Sequence, residues 1–103
     1  MTNTDLRYLY WDYNKRYFKG KLPNCKVRFK KLKYPFLGET WTQKGKKPQI
    51  FINPIFKRWP CITHLTLLHE MVHVSLPLRI DHGKRFQAEM LRLAKKGAFK
   101  GKW

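Results

Sequence analysis

The residues with the clearest chemical potential lie in the segment HEMVH, from His69 to His73, which has the pattern HExxH. Two histidines four residues apart lie on one face of a helix, one turn above the other. Their ring nitrogens can therefore bind one Zn²⁺ ion together, at ~2.0–2.1 Å. Glu70 is one step round the helix, where it is poorly aimed as a ligand but well placed to take a proton from metal-bound water. The motif predicts hydrolytic zinc chemistry.

The same histidines could instead be core residues of a buried helix. The surrounding run LTLLHEMVHVSL is strongly apolar. Burying two imidazoles and a carboxylate in such a run costs free energy unless each group has a partner. A metal ion supplies those partners, so we favour a site for one zinc ion over a purely structural role.

A catalytic zinc site needs a third protein ligand and an open position for water. Asp81, His82 and Glu89 are the downstream candidates. His82 precedes Gly83, which permits a tight turn that could return the chain to the motif helix. Glu89 falls within the next helical pattern, and Asp81 could instead orient a ligand imidazole from behind it. We favour His82, and the residue types leave the other two open.

The surrounding sequence predicts the elements that position the motif. Helical spacing of apolar residues predicts helices from Asp5 to Lys19, from Thr63 to about Ser75 and from about Lys84 to Lys96. Strands are predicted within CKVRFKKLKY and at 38–42 and 49–53, the last two as a hairpin. The fold class is therefore α+β, with about three helices packed on a small, mainly antiparallel, three-stranded sheet. HExxH lies on the central helix, which Pro77 should end.

The charge of the chain predicts a polyanionic partner. Its 103 residues fit one domain, 1–103, and include 23 Lys and Arg against 6 acids, for a formal net charge of +17. Nucleic acid is favoured over a membrane, because contacts with phosphates release counterions and no helix pairs a basic face with an apolar one. The candidate nucleic-acid contacts are the lysines of two loops: Lys30, Lys31, Lys33, Lys44, Lys46 and Lys47.

The cysteines and the first residues of the chain indicate where in the cell the protein is located. Cys25 and Cys61 are far apart and form no CxxC pair, and the start MTNTDLRYLYWDYNKRY has no apolar core typical of a signal peptide. No run approaches the ~18 apolar residues of a membrane span. We expect a soluble, intracellular monomer with reduced thiols, located in the cytoplasm or with the nucleoid or nucleus.

The motif HEMVH, followed by HGKRF at 82–86, resembles the SprT-like family of zinc metalloproteases, which includes the Spartan-type proteases. The segments YFKGKLP, KVRF and IFINP fit the same family, so the resemblance runs from about Leu6 to Leu93. It implies His69, His73 and His82 as zinc ligands and Glu70 as the catalytic acid and base. The paired CxxC motifs of the zinc ribbon that many members carry after this domain are absent from the sequence.

The resemblance also implies peptide-bond hydrolysis. In the better understood members of the family, the substrates are proteins trapped on DNA. Zincins in general pair the substrate peptide with an edge strand above the metal. The prolines at 48 and 54 favour the second hairpin strand as that edge. The expected substrate contacts are Gln49, Ile50, Phe51, Ile52 and Asn53, and the candidates for stabilising the oxyanion are Tyr8, Tyr34 and Arg79.

Three classes of function are compatible with these features. The first is a zinc metallopeptidase that acts on proteins associated with DNA. It would bind the DNA without sequence preference, and it would bind single strands as well. The second is a basic nucleic-acid-binding module with a non-catalytic zinc ion, and the third is an interaction protein without hydrolysis. Structural zinc sites are usually closed, cysteine-rich sets of four ligands, and such a site would give Glu70 no role. We therefore favour the metallopeptidase.

Overall fold

The computed structural model describes residues 1–76 and 82–101. Its elements are α1 (Asn3–Tyr17), β1 (Lys26–Phe29), β2 (Gly38–Trp41), β3 (Gln49–Ile52), a 3₁₀ turn (Pro54–Phe56), α2 (Pro60–Ser75) and α3 (Lys84–Lys95). Three helices and a three-stranded sheet confirm the predicted α+β class. Pro77, Arg79 and Asp81, to which the sequence assigned roles, lie outside the described residues.

The sheet has the strand order β1-β3-β2. The predicted hairpin is confirmed, because β2 and β3 pair antiparallel, with Gly38 opposite Ile52. In contrast, β1 pairs parallel with β3, so the sheet is mixed rather than mainly antiparallel. The strand Gln49–Ile52 is central and bonded on both sides, and the expectation that it forms an edge for substrate pairing is therefore wrong. The two edges are β1 and β2.

Two helices begin earlier than predicted. Thr2, rather than Thr4, caps α1: its hydroxyl accepts a hydrogen bond from the backbone N–H of Asp5, whose carboxylate accepts one from the N–H of Thr2. This reciprocal capping box satisfies two otherwise unpaired donors. The helix α2 starts at Pro60 because proline lacks the N–H that the first helical turn leaves unpaired. Thr63, the expected cap, is buried inside that helix.

The hydrophobic core lies on one face of the sheet, with α2 in its middle. Strand residues Val27, Ile50 and Ile52 contact a cluster to which all three helices contribute. The fully buried members from α1, α2 and α3 are Leu6, Leu67, Leu68, Met71, Val72 and Leu93. Packing from both sides therefore fixes the helix that carries HExxH. Within the described residues, none of the helices is long and apolar enough to cross a membrane.

Candidate metal centre and active site

Three histidine side chains converge beside the sheet. His69 and His73 project from α2, and His82 lies two residues before α3. The Nε2 atom of His82 is 3.2 Å from Nε2 of His69 and 3.1 Å from Nε2 of His73. Potential ligand atoms of all three residues lie within 4.8 Å of one another. A donor set of three imidazoles that leaves one position open suits a catalytic zinc ion.

The structure distinguishes His82 from the alternative ligand Glu89. The Glu89 carboxylate accepts two hydrogen bonds from the Nε of Arg92, at 2.6 and 2.9 Å. It lines a separate cavity near the end of α1, and it is not part of the histidine group. Of the candidates within the described residues, His82 is the one that the fold brings to His69 and His73.

One aromatic ring packs against all three imidazoles. The ring centroid of Phe86, in the first turn of α3, lies 4.8 Å from that of His69, 4.6 Å from that of His73 and 4.7 Å from that of His82. Its side chain is buried and belongs to the core cluster. Phe86 therefore links the orientation of the histidines to the packing of the core. Helical spacing with Met90 and Leu93 is the sequence signal for its burial.

The Glu70 side chain is buried against the edge strand β2. The Thr40 hydroxyl donates a hydrogen bond to Oε1 of Glu70 at 2.7 Å. Oε2 lies 3.9 Å from the Nε2 atom of His69. At Gly38, an added Cβ would lie 2.7 Å from Cγ2 of Thr66 and 3.1 Å from Cγ of Glu70, so a glycine is what allows the strand this close to the helix. Sequence reasoning missed Gly38 and Thr40.

The protonation properties of these groups follow from their burial. Burial raises the pKa of Glu70 to about 7, while the hydrogen bond from Thr40 acts in the opposite direction. Burial also lowers the pKa of His69 to about 4, with the neighbouring His73 and His82 adding to the effect. The pKa of His73 is lowered for the same reasons, burial first and then His82. Neutral imidazoles are the form that binds a metal.

A cavity of about 560 Å³ opens over the three histidines and Glu70. One side is formed by Gly38 and Glu39 of β2. A second side is apolar and consists of Pro35, Phe36, Leu37 and Leu65. The cavity thus joins the three histidines, the buried carboxylate and a strand edge in one accessible space.

The residues predicted to bind substrate have another role. Ile50, Phe51, Ile52 and Asn53 are buried, and β3 is paired on both sides. The side-chain amide of Asn53 donates hydrogen bonds to the carbonyl oxygens of Leu32 and Phe36, at 3.1 and 2.9 Å. Through these two hydrogen bonds, Asn53 fixes the loop before β2. It shapes the apolar side of the cavity, whereas the strand that borders the cavity is β2.

The predicted nucleic-acid contacts form two exposed clusters at opposite ends of the sheet. Lys30, Lys31 and Lys33 follow β1, and Lys44, Lys46 and Lys47 lie in the hairpin between β2 and β3. Of the candidates for the oxyanion, Tyr8 is exposed on α1 against Trp11, and Tyr34 is exposed in the loop before β2. Neither lines the cavity.

The fold and this site define a zincin-like, metalloprotease-type domain. A buried helix carries HExxH, a third histidine comes from the start of the next helix, and a glutamate faces the open cavity. A model of the SprT-like family matches residues 6–101, nearly the whole chain, and the chain belongs to this family. Membership implies zinc as the metal. A comparison with curated proteins gives no match.

Proposed function

We propose that the chain is a zinc-dependent metallopeptidase that hydrolyses peptide bonds in proteins. The observation that carries the proposal is the pairing of three convergent imidazoles with a buried glutamate at the rim of one cavity. A site that only stabilised the fold would need neither the carboxylate nor the opening.

His69, His73 and His82 would hold the zinc ion through their ring nitrogens. When bound there, zinc polarises the scissile carbonyl and lowers the pKa of water to about 7. The packing of Phe86 against the three rings keeps their orientations fixed before any ligand arrives. Such preorganisation favours zinc binding, because the side chains lose less conformational entropy when the ion binds.

Glu70 acts as the general base and then as the general acid. Thr40 holds Oε1, which leaves Oε2 as the oxygen on the side of His69. We assign to Oε2 the uptake of a proton from the attacking water and its return to the leaving amine nitrogen. A carboxyl group whose pKa burial raises to about 7 exchanges a proton readily in both directions at neutral pH.

The substrate main chain would add to the sheet along β2. This strand has β3 on one side only, so its other side offers N–H and C=O groups to an extended peptide. Because side chains alternate along a strand, Gly38 and Thr40 face the helix while the strand edge borders the cavity. A peptide paired there would place its scissile bond near Glu70 and an adjacent side chain near Phe36.

Association with DNA is the second part of the proposal. The formal net charge of +17 and the two exposed lysine clusters support it. Contacts of this kind neutralise phosphates without reading sequence. The peptidase would thereby be concentrated on proteins that are themselves bound to DNA.

The deciding experiment compares the zinc-loaded protein with Glu70→Gln, using a DNA-binding protein as substrate with and without single-stranded DNA. We expect cleavage by the parent protein and a loss of roughly 10²–10⁴-fold in Glu70→Gln with zinc content unchanged, which is the range that general acid–base catalysis contributes. Glu89→Gln is the matched control, because it removes a carboxylate paired with Arg92 outside the cavity.

Two other results would redirect the proposal. Cleavage that persists in Glu70→Gln would come from a contaminating protease or from another base. An intact substrate, with one zinc bound and DNA retained by both proteins, would favour the alternative of a basic nucleic-acid-binding module with a non-catalytic zinc ion.

A further inference from the structure

The face of the sheet turned away from the helices carries a cationic and aromatic surface. Ile50 and Ile52 join the core cluster, so the alternation of side chains places Phe51 on the opposite face. Register then places Arg28 and Glu39 on either side of Phe51. The next row of the same face contains Lys26, Gln49 and Trp41. We name this set, together with Lys30, the outer face.

Cations cover the buried ring at the centre of the outer face. The guanidinium carbon of Arg28 lies 5.1 Å from the ring centroid of Phe51, and the Nζ atom of Lys30 lies 4.7 Å from it. Phe51 is 5% exposed although it is not a member of the core cluster. The charged groups of both exposed side chains thus lie over the ring at cation–π distance. Contact with the ring favours these positions, while both side chains remain exposed to solvent.

The outer face also presents an exposed aromatic ring. Trp41 is 58% exposed, and its indole N–H donates to the carboxylate of Glu39, which holds the ring at the strand end. A large exposed indole has an apolar surface that water solvates poorly. The cations Lys26 and Arg28 lie on the same face, across β3 from Trp41. An exposed indole on a cationic face can accept a stacked base whose phosphates meet the charges.

Further cations extend the outer face in both directions. The hairpin lysines Lys44, Lys46 and Lys47 adjoin the end with Trp41, and Lys31 and Lys33 follow the end with Lys30. Along β1, a groove of about 470 Å³ brings Arg7 and Lys47 to Lys26 and Arg28. The residues that line this groove include four cations and no acid. Charge therefore continues along a path longer than the sheet itself.

We propose that the outer face is a binding surface for single-stranded nucleic acid. The strand would place phosphates on Lys26, Arg28 and Lys30 and stack a base on Trp41. An acidic peptide would use the cations but leave the indole without a partner, and the bases of a duplex are not free to stack. The inference deepens the nucleic-acid part of the proposed function and does not depend on proteolysis.

The edge strand β2 connects this surface with the catalytic side. Gly38 and Thr40 face Glu70, while Glu39 and Trp41 lie on the outer face. A nucleic acid on the outer face would therefore lie across the sheet from the cavity, and it would leave the strand edge open. Protein bound to that nucleic acid would be held within reach of β2.

The test measures binding of a fluorescent oligothymidylate of about 20 nucleotides, longer than one such surface needs, to Glu70→Gln protein over a range of salt concentrations. In the triple variant Lys26→Gln, Arg28→Gln, Lys30→Gln, we expect the slope of log Kd against log salt to fall by about 2, because each phosphate contact on a single strand contributes about 0.7. Trp41→Ala should weaken binding roughly tenfold with the slope unchanged.

Matched variants on the helical side separate this site from general attraction. Lys95→Gln, Lys96→Gln, Lys100→Gln removes the same charge from exposed positions, and Trp11→Ala removes an indole that is 56% exposed on α1. Both should retain most of the affinity. Equal losses in the two triple variants, or stronger binding of a duplex of the same length, would overturn the proposal.

No oligonucleotide binding at low salt would also overturn it. Circular dichroism and thermal unfolding of each variant exclude loss of fold as the cause of weak binding. Because binding is measured with Glu70→Gln protein, its failure says nothing about peptide hydrolysis, which the zinc-loaded parent protein tests separately.

Discussion

The two faces of the three-stranded sheet differ in what covers them. On the inner face, Ile50 and Ile52 contact the helices, and Gly38 and Thr40 lie against Glu70. On the outer face, Phe51 lies beneath cationic side chains. Burial on the inner face raises the pKa of a carboxyl group and fixes its position, whereas exposure on the outer face leaves charges free to meet a polyanion. Under the proposed function, one sheet would therefore carry peptide hydrolysis on its inner side and nucleic-acid binding on its outer face.

The strand β2 contributes side chains to both faces of the sheet. Its four residues alternate between the two faces, so neighbouring side chains serve different purposes. A shift of one residue in its pairing with β3 would exchange the two sets and place Glu39 and Trp41 against α2. Such a shift would bring a residue with a side chain to the position of Gly38. That side chain would collide with Thr66 of α2, so the contact at Gly38 favours the observed register.

The largest expected difference between the two faces of the sheet is in how much each contributes to the stability of the protein. Ile50 is fully buried in the core, so Ile50→Ala should lower the free energy of unfolding by about 2–5 kcal/mol. Phe51→Ala should lower it by less than half as much, because flexible cationic side chains can close over the vacated space. Denaturant unfolding of both variants measures the difference. An equal or larger loss at Phe51 would mean that a second packed core lies on the outer face.

Zinc affinity tests how far the inner core supports the metal site. Replacing Phe86 by Ala removes the ring against which all three imidazoles pack. Loss of groups that orient metal ligands typically costs 10–100-fold in affinity, and we expect a loss in that range. Competition with a chromophoric chelator measures it.

Phe86→Leu serves as the control, because it keeps an apolar side chain of similar size in the core. It should fold as well as the parent protein and lose less affinity than Phe86→Ala. Unchanged affinity in Phe86→Ala would show that the histidines are oriented without this ring.

Catalysis tests the contact between β2 and Glu70. Thr40→Val keeps the shape of the side chain but removes the hydroxyl that donates to the carboxylate at 2.7 Å. A hydrogen bond to a charged group contributes about 1.5–3 kcal/mol, so we expect kcat to fall at least tenfold with KM little changed.

Thr40→Ser should restore most of that activity, since it returns the hydroxyl. Thr42→Val, at an exposed position just beyond the strand, is the matched control. A rise in KM with kcat unchanged would assign Thr40 to substrate binding rather than to the orientation of Glu70.

Much of the site could be predicted because its residues are close in sequence. His69, Glu70 and His73 share one helix, and their spacing alone predicts that they lie together. His82 was favoured among three candidates because Gly83 permits a turn back toward the helix, and the family resemblance implied the same residue. The contact of Thr40 with Glu70 spans thirty residues and depends on the register of β2, which no local pattern encodes.

The sheet shows the same limit of local patterns. The three strands and the hairpin were predicted from alternation and turn residues, but the parallel pairing of β1 with β3 was not. Prolines on both sides of β3 favoured an edge strand, yet they lie outside the ladder and leave its N–H groups free to bond on both sides. Strand order depends on contacts between segments that are far apart in the sequence, and local patterns do not encode it.

The smallest expected effect concerns the acid of the outer face. Glu39 contributes a negative charge beside Phe51, and it accepts a hydrogen bond from the indole of Trp41. Glu39→Gln removes the charge and keeps an oxygen that can accept the same bond. We expect oligonucleotide binding to tighten by a few-fold at low salt, since an exposed charge contributes about 0.2–1 kcal/mol, and the gain should shrink as salt screens it.

The matched control for this prediction is Glu89→Gln, which removes an equal charge from α3. It should change the affinity less, because α3 packs on the inner side of the sheet. Equal gains in both variants would mean that the oligonucleotide senses only the net charge of +17. A larger gain at Glu39 would instead place the bound strand next to β2, where the outer face and the catalytic side meet.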